Sequence, residues 1–183
     1  MNASIKTAAG MQGIPVAAII QDERGVADDL LAEFAFALRH RGRRVHGLVQ
    51  QRPDSQWKAS TVLIDLDARE RFPLFQNLGT GSVSCGIDET SVAAASGVLR
   101  RALREKADLA IANRFGALEA IGRGLAAEML ALMSERIPLL TVVATPYLDD
   151  WRRFTGGAGV QLAPDPQALE AWFAGLEQGT DHR

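Results

Sequence analysis

Three observations predict an α/β fold with three layers, a mostly parallel sheet with helices on both faces and an inserted β-hairpin. Short runs of apolar, β-branched or small residues recur along the chain, as in "IPVAAII", "ADLAIAN" and "IPLLTVVA". Strands this apolar on both sides are the kind that helices cover on both faces. Amphipathic helical stretches separate most of them, so strand and helix alternate. The alternation breaks once, at two short strand-like segments joined by a charged turn.

The first strand is expected at Ile14 to Ile20. A helix follows from about Val26 to Arg41, where Val26, Leu30, Leu31, Phe34, Ala35 and Leu38 recur at helical spacing and Gly42 stops it. Its late His40 suits the negative end of the helix dipole. "RVHGLVQ" makes a second strand, after which "QRPDSQ" is turn-rich. "STVLIDLD" and "RFPLFQNL" form the expected hairpin, and Pro73 sends its strand to an edge or a bulge. The loop "GTGSVSCGID" then leads to Asp88, which can cap a helix running to about Lys106.

Strand Ala107 to Asn113 precedes the longest polar connection. Gly122 and Gly124 would each cost about 1 kcal/mol relative to Ala inside a helix, so the next helix is expected from near Gly124 to Glu135, leaving a loop of about ten residues. "IPLLTVVA" supplies another strand. Thr145 and Asp165, each followed by proline, read as N-caps, the first of a short helix through Phe154 and the second of a terminal helix carrying Leu169, Trp172, Phe173 and Leu176. "GVQLA" between them reads as a last strand.

One domain of residues 13–178 is expected, with residues 1–12 a flexible leader and 179–183 a flexible tail; 183 residues suit one core and not two. The 23% charged and 47% apolar composition is that of a soluble globular chain. No apolar run reaches the roughly 18–20 residues of a bilayer span, and the leader lacks an export pattern. A cytoplasmic location is therefore expected, without a membrane partner. The single cysteine, Cys85, agrees with a reducing compartment. A net charge of −2 argues against nucleic acid. With 17 Arg and only three Lys, few positions could supply a catalytic lysine.

Ligands of such sheets bind at the carboxyl ends of the strands, which selects the loops 21–25, 50–56, 113–124 and 145–147. After the first strand, "QDERGVADDL" has one glycine, no lysine and acidic residues where a phosphate would be repelled, unlike a loop that cradles phosphates. No G-x-G-x-x-G follows a strand. One cysteine and the scattered His40, His46 and His182 do not make a closed metal site. Cys85, ahead of a helix N-terminus, is the candidate nucleophile, against a simple packing role. The pairs Asp28/Asp29, Asp65/Asp67 and Asp149/Asp150 read as solvated faces or helix-start charges.

Anion-compatible features do converge. Arg114 and Arg123 offer planar multidentate donors; Gly116, Gly122 and Gly124 permit exposed backbone N–H groups; Ser82, Ser84 and Cys85 lie in a loop able to form a backbone nest. The competing reading is an internal ion-pair network of Arg114, Glu119 and Arg123 that only braces the loop.

At "ADLAIANRFGALEAIGRGL", with "RVHGLVQ", "GTGSVSCGID" and "IPLLTVV", the chain resembles an uncharacterised bacterial family known as a domain of unknown function. Its members are described as nucleoside-triphosphatase relatives and accompany molybdate-transport genes. The family's usual form is near "DLLIVNKFGKxEAEGRG" with an upstream "GCxLD", which Cys85 and Asp88 match; Arg114 replaces the commoner lysine. The family looks like a distant branch of the P-loop nucleoside-triphosphatase fold, whose equivalent segment reads "DEIGxME". That comparison sets Asn113 where a Mg²⁺-associated Asp would stand and Arg114 where a catalytic Glu would stand, with Gly116 and Glu119 matching.

The resemblance and the residues together imply a noncatalytic or weakly catalytic P-loop-like module that holds a small oxyanion, such as molybdate, or a nucleotide phosphate, through Asn113, Arg114, Gly116, Glu119, Arg123, Gly124, Ser82, Ser84 and Cys85. Without the P-loop lysine and the strand acid, enzymatic activity is left open. One alternative is a divergent nucleoside-triphosphatase or phosphotransferase with Glu119 as base and Arg123 as charge stabiliser. Another is an accessory protein, or a homo-oligomer, that docks through Trp151 and Phe154 as exposed anchors. No cofactor is assigned.

Overall fold

The computed structural model describes residues 13–21, 26–51, 61–75 and 86–180. Its elements in chain order are β1 (Val16–Gln21), α1 (Val26–His40), β2 (Val45–Gln51), β3 (Val62–Asp65), β4 (Arg71–Pro73), α2 (Glu89–Arg104), β5 (Leu109–Phe115), α3 (Ala117–Ala120), α4 (Ala126–Ser134), β6 (Leu139–Ala144), α5 (Leu148–Phe154), β7 (Val160–Leu162) and α6 (Pro166–Thr180). The strands form one seven-stranded sheet in the order β4-β3-β2-β5-β6-β1-β7. β1, β2, β5, β6 and β7 run parallel, whereas β3 and β4 are antiparallel additions beyond β2. Pro73, which cannot donate to a ladder, ends the outermost strand.

Period-two alternation in the strands divides the core in two. Ala17, Ile19, Val49, Ile111 and Val142 pack with Leu31, Phe34 and Leu38 of α1 and Leu169 and Phe173 of α6. Val16, Ala18, Leu48, Ala110 and Val143 face Val92 and Leu99 of α2, Met129 of α4 and Trp151 of α5. Gly47 is required where β2 meets β5: its φ is +140°, and a Cβ there would stand 2.1 Å from the Ile111 carbonyl oxygen.

Several local expectations need correction. The strand expected to end at Asn113 runs to Phe115, and the loop after it contains α3, a helix too short to show a period. Asp88 caps α2 by accepting from the Thr90 and Ser91 N–H groups, each at 3.1 Å, and Asp165 accepts from the Ala168 N–H at 3.3 Å. Thr145 does not act as a side-chain cap: a 3₁₀ turn over Thr145–Tyr147 precedes α5, and the Thr145 hydroxyl donates to the Gln21 carbonyl at 3.4 Å. Trp151 is fully buried against Phe115, with Phe154 beside both. These rings are core and not exposed anchors, because α5 lies flat on the sheet. No helix among the described residues is long and apolar enough to cross a membrane.

Candidate functional site

The carboxyl edge of the sheet gathers polar residues from four elements. Arg114, near the end of β5, donates from Nε to Asp28 Oδ1 at 2.8 Å and from Nη2 to Asp28 Oδ2 at 2.5 Å. Its Nη2 also donates to Gln21 Oε1, 2.9 Å away at the end of β1. From β2, Gln50 Nε2 donates to Asp28 Oδ2 at 3.3 Å. Asp28 sits in the first turn of α1, where the helix dipole favours an anion. Its side chain is only 6% exposed, so the pair is a buried, bidentate, charge-assisted bridge.

A β-bulge makes this bridge. The β5–β6 register advances three residues on β5, from Ile111 to Arg114, for two on β6, from Leu140 to Val142. An extra residue resets the alternation. Arg114 thereby reaches α1 on one face while Phe115 meets Trp151 and Phe154 on the other. Thr141 supports the irregular segment by donating to the Ala112 carbonyl at 2.7 Å. Asn113, within the bulge, is 5% exposed, and its Oδ1 is buried with no hydrogen-bond partner among the described residues. Orphan acceptors of this kind are uncommon in native structures and call for an explanation.

Among the described residues, Arg114, Glu119 and Arg123 each bond elsewhere and do not pair with one another. Glu119, 8% exposed, accepts at 3.0 Å from the Gly116 N–H and at 3.0 Å from the Leu125 N–H, tying the start of α3 to the start of α4. Gly124 has φ +60°, and a Cβ on it would lie 2.2 Å from Glu119 Oε1. Gly116 contributes its backbone donor and Gly124 the space for that carboxylate. Arg123 reaches across the surface to Glu89 on α2, both half-exposed. The structure thus ties Arg114 to Asp28 and Gln21 and leaves Arg123 on the periphery. Ser82, Ser84 and Cys85 lie outside the described residues.

Asp28, Gln21 and Gln50 were missed as site residues from sequence, and one signal was present. Asp28 falls on the same helical stripe as Leu31, Ala35 and Leu38, all buried. A carboxylate on a buried stripe requires a partner.

The amino edge carries a second polar cluster. Arg101 of α2 donates from Nη2 to both oxygens of Asp65 at 2.6 Å. Asp67 takes Arg39 at 2.5 Å and His46 Nδ1 at 2.6 Å, while His46 Nε2 lies 3.2 Å from Glu105. Burial pushes the Asp67 carboxyl up, but the hydrogen bonds from His46 and Arg39 outweigh it and hold the group below its ordinary value. At Asp108 burial is again overcome, by the Arg44 side chain and backbone N–H, and that carboxyl is lowered too. Asp65, expected on a solvated face, is instead 1% exposed. Asp149 and Asp150 behave as helix-start charges, paired with Arg152 and Arg153 one turn on. Among the described residues no group of His, Cys, Asp and Glu has the arrangement of a metal site.

Residues 16–172 match the model of a family described as Protein of unknown function (DUF2478). The chain belongs to that family. It is also 36% identical over 160 residues to the Molybdenum import ATP-binding protein ModC 2 of Bradyrhizobium diazoefficiens. That match takes in 86% of this chain but 18% of the relative, so the chain corresponds to a fraction of that protein's length. Two solved structures share the fold. A human cancer-related nucleoside triphosphatase superposes with TM-score 0.60 and 15% identity, covering 92% of this chain and 99% of its own. THEP1 from the hyperthermophile Aquifex aeolicus gives TM-score 0.62 and 16% identity, covering 88% and 96%. This DUF2478 member therefore shares its α/β fold with those two structures, and its own seven-stranded sheet carries the Asp28–Arg114 bridge at the carboxyl edge.

Proposed function

We propose that this protein is a binding module of P-loop ancestry that takes a small oxyanion or a nucleotide phosphate at the carboxyl edge of the sheet without turning it over efficiently. One observation carries the reading: Gln21, Gln50 and Arg114, from the ends of the parallel strands β1, β2 and β5, converge with Asp28 at the first turn of α1, on the strand edge where open α/β sheets bind ligands. The Asn113 Oδ1 supports it, because a buried acceptor without a partner among the described residues is one that a ligand can satisfy.

Efficient hydrolysis is disfavoured by the residue chemistry. The segment from Gln21 to Leu30 has no lysine to neutralise a terminal phosphate. Near its carboxyl end strand β5 carries Asn113 and Arg114, where a metal-associated acid would be wanted. Glu119, the candidate base, spends both oxygens on backbone N–H groups. The likeness to part of a molybdenum import ATP-binding protein makes molybdate and tungstate the first oxyanions to try.

Thermal-shift titration with molybdate, tungstate, phosphate, sulfate, ATP and GTP tests the reading, since a ligand that binds the folded state raises stability by mass action. At least one is expected to raise the melting temperature at millimolar concentration, with the shift reduced in Arg114→Gln. A flat response to all six would overturn it. Mg²⁺-dependent turnover abolished by Glu119→Gln in a folded variant would replace it with the enzymatic reading.

A further inference from the structure

We propose that Asp28 is an internal counter-anion for Arg114, and that it sets how tightly the carboxyl-edge site takes any external oxyanion. The inference rests on the binding reading above and adds the residue that governs it.

A guanidinium has five N–H groups, arranged so that two pairs point in parallel: Nε with one Nη2 hydrogen, and the other Nη2 hydrogen with one on Nη1. Bidentate capture of an oxyanion uses one of these pairs. In Arg114 the first pair is taken by the two oxygens of Asp28, at 2.8 and 2.5 Å. The second is half taken, because Nη2 also donates to Gln21 Oε1 at 2.9 Å. Only the Nη1 hydrogens are left, and they do not form a parallel pair. The protein's own acceptors thus block both forks.

The two blocks differ in kind. Gln21 is neutral, and its amide can turn to present a donor. Asp28 keeps its negative charge beside the guanidinium, at the helix N-terminus where an oxyanion would itself be stabilised. Any oxyanion reaching Arg114 must displace that carboxylate or sit beside it in a poorly screened setting, since the Asp28 side chain is 6% exposed. Asp28 therefore lowers anion affinity in both geometries. Had its role been only to hold Arg114 in a productive orientation, its removal would weaken binding.

The opposite signs make the test decisive. Isothermal titration calorimetry with inorganic phosphate and with molybdate is run on the wild type, Asp28→Asn, Asp28→Ser and the double variant Asp28→Asn/Arg114→Gln, with thermal melts establishing that each is folded. Asp28→Ser provides the reading if Asp28→Asn does not fold. Neutralising Asp28 is expected to tighten binding of at least one probe by about tenfold or more, and the double variant to lose the gain. If the wild type binds a probe and neither Asp28 variant binds it more tightly, the counter-anion role is overturned while the binding reading stands. If no folded variant binds either probe, the counter-anion role is overturned, and the binding reading stands or falls on the six-ligand titration above.

Discussion

The two edges of the sheet each bury an Arg–Asp bridge, and they surround it differently. At the amino edge the Arg101–Asp65 pair stands among further charges, Arg39, His46, Asp67 and Glu105, drawn from α1, β2, the turn after β3 and the C-cap of α2. At the carboxyl edge the Arg114–Asp28 pair is bordered by uncharged amides, Gln21 and Gln50, with Asn113 next to Arg114 in the chain. The first arrangement answers charge with charge, as a structural brace does. The second, among the described residues, sets its ion pair beside amides that can exchange partners, as a binding site requires. A buried bridge alone says little about role; its neighbours distinguish the two.

The sharpest way to break this contrast is to remove the arginine from each edge. Arg101→Met leaves Asp65, 1% exposed, without its bidentate partner, and is expected to cost about 3–5 kcal/mol in urea unfolding. Arg114→Met should cost less, about 2 kcal/mol, because Gln50 still donates to Asp28 at the N-terminus of α1. Equal losses would mean that the carboxyl-edge bridge is as structural as the other. Gly124→Ala probes the scaffold behind the site: at φ +60° a side chain is strained and collides with Glu119, for an expected loss of about 1–2 kcal/mol.

Asp67→Asn sharpens the amino-edge side through pH. The Asp67 carboxyl is lowered in the folded state, so it contributes stability above its unfolded value, and that contribution disappears as pH falls through the folded value. Asp67→Asn should therefore lower stability at neutral pH and flatten its decline in acid, read from melting temperatures across the acid range. The smallest change is expected for Arg123→Ala. This half-exposed pair with Glu89 should be worth no more than about 0.5 kcal/mol, and a larger loss would bring Arg123 back into the site.

The amino-acid sequence by itself determined the layers of this protein. Apolar runs such as "IPVAAII" and "IPLLTVVA" became strands buried on both faces, the segments around Asp65 and Arg71 became the antiparallel hairpin at one edge, and Asp88 and Asp165 capped the helices that follow them. These features depend on local propensity and on neighbours a few residues apart, which a linear reading contains. It also pointed to Asn113 and Arg114 at a strand end. Tertiary structure alone decided what Arg114 does. A one-residue bulge, invisible to strict alternation, turned it onto the α1 face, where a carboxylate 86 positions away in the chain awaited it. The same holds for Trp151, whose buried place depends on how α5 lies across the sheet. Pairing of charges and burial of rings at such separations depend on the register and packing of whole elements, and these exist only once the chain has folded.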